Sequence, residues 1–126
     1  MKGVIIKKVN IISDDSRRRI LSILNGEMGV RDIHILEMKK GESILGNHWH
    51  VYPEMMYVYK GKCHYWLRHV FTGETEELDL EEGDIMIKTG FIVHTCTASE
   101  DAILIDGAQE SWIGEDYNHI KEILKE

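Results

Sequence analysis

Apolar and polar residues alternate in short runs along most of this chain, and each run stops at a cluster of turn-forming residues after roughly 8 to 12 positions. Val30 to Met38 sets Val30, Ile33, Ile35 and Leu36 among polar neighbours and ends at Lys40-Gly41-Glu42. Met55 to Tyr59 is closed by Gly61-Lys62, and Cys63 to Phe71 runs into Thr72-Gly73-Glu74, which opens a hairpin to Thr75 to Leu80. Ile85 to Lys88, Ile92 to Thr97 and Ala102 to Asp106 continue the series. At the start, the β-branched residues of Lys2 to Ile12 predict a strand stopped by Ser13-Asp14-Asp15, after which Arg17, Arg18 and Arg19 lead into Ile20 to Leu24. Only Tyr117 to Leu124 has the spacing of an amphipathic helix, a short C-terminal one that would pack on the outside or against a partner. Many short strands with turns between them predict an all-β sandwich or barrel.

The chain has 126 residues, a size at which one hydrophobic core is the natural solution. No repeat or linker interrupts it, and Pro53 is its only proline, so residues 1–126 read as a single domain with a barrel core from about 30 to 110. Fifteen basic against twenty-two acidic residues give a formal charge of −7, which opposes nucleic acid as a partner. Neither a leader-like start nor a membrane-length apolar run is present, and the expected location is cytoplasmic. Cys63 and Cys96 have no metal-ribbon or pairing pattern and read as reduced, buried thiols.

Candidate chemistry sits in Gly46-Asn47-His48-Trp49-His50-Val51-Tyr52-Pro53-Glu54. Residues two apart on a strand share a face, so His48 and His50 aim at the same space while Trp49 turns away. Glu54, beyond the bend that Pro53 helps to set, can bring a carboxylate to the same interior, and His94 lies forty positions further on, in a strand that a barrel could place opposite. Three imidazoles and a carboxylate suit one divalent transition metal (Zn, Fe, Mn, Ni or Co) better than calcium or magnesium. The bland alternative is that these histidines are solvated surface or hydrogen-bonded core residues.

The order His48-x-His50, three residues, Glu54, six residues, Gly61 resembles the first motif of the cupin superfamily, and Gly83 and His94 fall at the two ends of its second motif. The chain departs from the pattern at Thr89 (usually proline), Phe91 (usually glycine) and Ala98 (often asparagine), and Gly41 stands one residue early. The resemblance implies a double-stranded β-helix, a jelly-roll-like barrel, with a metal or substrate site in its mouth, held by His48, His50, Glu54 and His94. It also implies a homodimer.

A narrower similarity, carried by Gly46 to His50, Leu67-Arg68-His69 with Thr72-Gly73-Glu74, and Ile103 to Trp112, is to the cupin domains of capsular-polysaccharide enzymes and of sugar-nucleotide epimerases. With the metal set it implies a metal-dependent enzyme, of the isomerase or epimerase kind, acting on a small polar molecule such as a carbohydrate or sugar-nucleotide derivative, the ion stabilising an enediolate. In that group a motif histidine often removes the proton beside a sugar carbonyl, a task that an imidazole nitrogen bound to metal cannot also perform. Two other functions share the residues: a non-catalytic metal- or ligand-binding or sensing module, and an iron-dependent dioxygenase. The catalytic acid and base are not identified by the sequence.

Further residues are candidates for substrate contact. His64, Trp66 and Arg68 share one side of a strand and would offer a cation and rings to an anionic or sugar ligand, with surface salt bridging as the plainer alternative. Tyr57 is a candidate wall residue; Met55, Met56 and Met86 read as barrel filling. His34, His69 and His119 read as structural or surface residues.

Overall fold

In the computed structural model, which describes residues 1–41 and 45–111, the described residues form eleven β-strands and no helix. The amphipathic stretch Tyr117 to Leu124 lies outside them. No helix among the described residues is long and apolar enough to cross a membrane.

The strands are β1 (Val4–Lys8), β2 (Asn10–Asp14), β3 (Arg19–Ser22), β4 (Asp32–Met38), β5 (Leu45–His48), β6 (Glu54–Lys60), β7 (Lys62–His69), β8 (Thr75–Glu81), β9 (Asp84–Lys88), β10 (Ile92–Ala98) and β11 (Ala102–Ala108). A five-stranded sheet runs β1-β9-β6-β11-β4, a four-stranded sheet runs β5-β10-β7-β8, and β2 pairs with β3 in a separate hairpin. The single strand expected over Lys2 to Ile12 is two strands. At their junction the Val9 amide donates to the Gly83 carbonyl, the last step of the β1–β9 register, and from Asn10 onward the chain pairs with β3.

Alternation along each strand sends one set of side chains between the two sheets. Met38, Met56, Val58, Met86 and Leu104 come from the large sheet and meet Cys63, Tyr65, Leu67, Leu80, Ile92 and Cys96 from the small one. Both cysteines are free and buried here, and burial pushes their thiols up, to about 12 for Cys63 and about 11 for Cys96, so both stay protonated. The outer face of the large sheet is covered as well. Met55, Tyr57, Ile85 and Ile87 are buried there, packed with Val9 between β1 and β2 and with Leu21, Ile23, Leu24 and Met28 from the hairpin and the segment after it. Met55 therefore fills this second cluster, whereas Met56 and Met86 fill the barrel.

Candidate active site

Three features of the backbone bring the histidines together. His48 is the last residue of β5 and stands directly opposite His94 of β10. Gly46, two positions earlier, has φ +88°, and a Cβ there would come within 2.6 Å of the His94 carbonyl oxygen, so only glycine lets β5 approach β10 this closely. The register then slips between His94 and Thr95, a bulge of the kind that re-aims a side chain.

Beyond the strand, the chain stays positioned by the opposite loop. The Phe91 amide donates to the His50 carbonyl at 2.7 Å, and Gly90 lies so close that a Cβ would stand 2.4 Å from the Val51 carbonyl oxygen. Phe91 itself has φ 67°, the only positive value of a non-glycine residue among those described, at the position where the cupin pattern has glycine. Trp49 points away from the barrel and packs on the Phe91 ring, 5.5 Å between centroids.

The imidazoles of His48, His50 and His94 converge in the barrel interior. Their ring centroids are 4.8 Å (His48 to His50), 4.5 Å (His48 to His94) and 5.9 Å (His50 to His94) apart. One nitrogen from each ring lies within 4.8 Å of the others, close enough to hold a metal ion. His50 and His94 are buried, and His48 is partly exposed. Nδ1 of His94 is buried and has no hydrogen-bond partner, the state of a nitrogen waiting for a ligand or a proton. Burial, followed by the positive charge of Lys88 and of the other two imidazoles, holds the His94 pKa well below the usual histidine value, so this ring is neutral near pH 7. The Tyr52 hydroxyl lies 3.2 Å from Nδ1 of His50, leaving Nε2 of that ring toward Glu54.

Glu54 opens β6 and reaches the same space: its Oε1 is 3.6 Å from Nε2 of His50 and 3.9 Å from Nδ1 of His94. That oxygen is already taken, because the buried ammonium of Lys88, directly across the β6–β9 ladder, donates to it. Burial alone would raise the Glu54 pKa; Lys88 and the neighbouring histidines outweigh it and keep the carboxyl ionised below its ordinary range. Sequence reasoning missed Lys88. It closes the run Ile85-Met86-Ile87 and reads as the solvated end of a strand, yet its relative exposure is 2%.

The other candidates lie elsewhere. Arg68, Trp66 and His64 pair across β7 and β10 with Val93, Thr95 and Thr97, whereas Leu67 faces His94. The structure thus groups the three on the outer surface of the four-stranded sheet, away from the histidine cluster. There His64 sits between Glu77, 2.6 Å from Nε2, and Asp79, 2.5 Å from Nδ1, with Trp66 edge-on at 4.4 Å. Partial burial works against the imidazolium, but the two carboxylates outweigh it and raise the His64 pKa. Tyr57 faces out of the barrel, in the second apolar cluster. His69 is fixed in the β7–β8 turn, where its Nδ1 accepts from the amides of Phe71 and Thr72. His34 bridges Asp32 and Asp106.

No family model matches the chain, and no curated protein does. Solved structures do. The TDP-quinovose 3,4-ketoisomerase from Campylobacter jejuni is 16% identical with a TM-score of 0.81, over 97% of this chain and 95% of that one. A variant of the 3,4-ketoisomerase from Thermoanaerobacterium thermosaccharolyticum, in complex with TDP-4-keto-6-deoxyglucose, is 13% identical with a TM-score of 0.76, over 97% and 89%. A 3'-monoepimerase from Streptomyces bikiniensis, in complex with dTDP-quinovose, is 15% identical with a TM-score of 0.74, over 88% and 66%. At these identities the likeness speaks to architecture, and it agrees with the two facing sheets: the chain has the cupin fold, a double-stranded β-helix.

Proposed function

We propose that this protein is a sugar isomerase or epimerase that moves a proton next to the carbonyl of a nucleotide-linked keto sugar. The observation that carries the reading is the convergence of three imidazoles on one interior point, beside a buried glutamate–lysine pair. The neighbours whose names specify keto-sugar isomerisation or epimerisation support the substrate class. His48 is the partly exposed member of the cluster and the one that an entering sugar meets first, so it is assigned as the base.

The chemistry balances without a redox partner. The imidazole takes the proton from the carbon beside the ketone, the C–H electron pair becomes a C=C bond, and the carbonyl π pair moves to oxygen, giving an enediolate. Protonation at the former carbonyl carbon, with the neighbouring hydroxyl giving up its own proton, shifts the ketone by one position. Protonation of the original carbon from the other face gives the epimer instead. Both outcomes need a positioned base and a positive or hydrogen-bonding group at the developing oxyanion.

A second reading rests on the same three nitrogens. A divalent transition ion held by His48, His50 and His94, with Glu54 as a fourth ligand, would polarise the carbonyl as a Lewis acid. The donor set fits such an ion at the histidines and fits it poorly at Glu54, whose Oε1 is engaged by Lys88.

The test is incubation of the purified protein with a TDP-linked 4-keto-6-deoxy sugar in D2O, followed by NMR. Deuterium appearing at the carbon next to the carbonyl is the expected result, with a loss of at least about 100-fold in His48→Asn, the size of a removed general base. A wild-type protein that binds such sugars without exchange would make this a binding module, and one that neither binds nor exchanges them would remove the substrate class.

A further inference from the structure

We propose that Lys88 is the resident cation of this site, holding Glu54 out of metal coordination so that the histidine cluster works without a metal ion. The inference rests on the proton-transfer reading of the same site and goes beyond it by naming what keeps a metal ion from the histidines.

Register is the first argument. Glu54 and Lys88 are direct cross-strand partners on β6 and β9, and both side chains face the barrel interior, so their pairing is built into the ladder and not into flexible side chains reaching across a surface. The second argument is atomic. Oε1 of Glu54 faces His50 and His94, which makes it the oxygen a metal at the histidines would take, and the same Oε1 accepts the Lys88 hydrogen bond. Metal and ammonium would have to share one oxygen, with their like charges side by side.

Charge gives the third argument. Glu54 and Lys88 together are neutral. A divalent ion would leave two uncompensated positive charges in a space where His50, His94, Glu54 and Lys88 are all buried, and excess charge in a dry interior is costly. The ammonium is therefore the cation that this interior is built around.

The experiment is metal binding, with no sugar present. Wild type, Lys88→Met and Lys88→Gln are stripped with a chelator and titrated with Zn2+ and with Co2+ by calorimetry, and bound metal is counted by elemental analysis after desalting. Lys88→Gln keeps a hydrogen bond to Glu54 and guards against a Met variant that fails to fold, which circular dichroism reports. The expected result is one retained equivalent in the Lys88 variants, at least about 100-fold tighter than in wild type, as loss of one nearby charge and gain of one carboxylate ligand require. Adding Glu54→Gln to Lys88→Gln should cancel most of that gain, which a merely structural lysine would not produce. Wild type that binds an equivalent as tightly as the variants overturns the proposal, and so do folded variants that gain nothing. Failure of the isomerase reading looks different: no deuterium wash-in by a wild type of either metal content.

Discussion

At Phe91 the cost of a local conformation can be separated from the value of a side chain. Its φ of 67° lies in the left-handed region, which costs an ordinary L-residue about 1 kcal/mol or more, and its ring packs between Trp49 and Phe71 at 5.5 and 5.0 Å. Phe91→Ala and Phe91→Gly both delete the ring, but only Gly relieves the backbone. The Gly variant should therefore be more stable than the Ala variant by about 1 kcal/mol in urea unfolding, the reverse of the usual order of the two residues. Equal stabilities would place this residue outside the left-handed region. The sequence already pointed to this loop, since Phe91 stands where the cupin pattern has glycine, but why glycine is used there is a statement about φ that only the backbone makes. Lys88 was illegible for a different reason. Its burial follows from the β6–β9 register, and nothing local distinguishes a lysine that ends a strand in solvent from one that ends it in a barrel.

Between elements, the β2–β3 hairpin and the segment after it act as a cover for the outer face of the large sheet. Leu21 and Ile23 pack there against Met55, Tyr57, Ile85 and Ile87, so Leu21→Ala should cost about 2 kcal/mol, measured by chemical denaturation, with little change in the metal and exchange assays of the interior. An ionic strap ties the same cover to β1. Glu27 accepts from the Asn25 amide and lies 2.6 Å from the Lys7 ammonium, and these contacts take its carboxyl from 4.5 down to about 2. A carboxyl with a depressed folded-state pKa stabilises above its unfolded value and stops doing so as pH falls through the folded value. The stability difference between wild type and Glu27→Gln should thus be flat above pH 5 and shrink as pH drops from 4.5 toward 2. A difference that persists at pH 2 would mean the strap acts through packing. Strand alternation separates Glu54, Met56 and Val58 from Met55 and Tyr57, a division that the reading of Met55 as barrel filling and Tyr57 as a wall residue did not draw. The outward placement of His64, Trp66 and Arg68 was not readable, because it depends on Leu67 pairing with His94 across two strands far apart in sequence. The hairpin was half legible: its Ile20 to Leu24 run was seen, but its role as a second layer needs the sheet it covers.

On the scale of the whole molecule, the five-stranded sheet ends on β1 and β4, and its β4 end carries apolar side chains that the fold leaves in water. Ile33 and Ile35 are 67% and 69% exposed, neighbours on one face, with Ile35 paired to the half-buried Ile105 of β11. An exposed edge strand with adjacent isoleucines is a template for pairing with another chain, and a second copy meeting it about a two-fold axis would both continue the sheet and cover the patch. We expect a homodimer built on this edge. Light scattering coupled to size exclusion should give a mass twice that of the 126-residue chain, and the double variant Ile33→Lys, Ile35→Lys should give a folded monomer whose thermal midpoint no longer depends on protein concentration, since neither side chain contributes to the buried core. The histidine cluster lies between the two sheets, and every residue assigned to it comes from one chain, so the monomeric variant should keep the exchange activity of the wild type. A dimer that survives both lysines would shift the interface to the exposed Ile11 and Ile12 of β2, and a monomeric wild type would leave the β4 edge as bare surface.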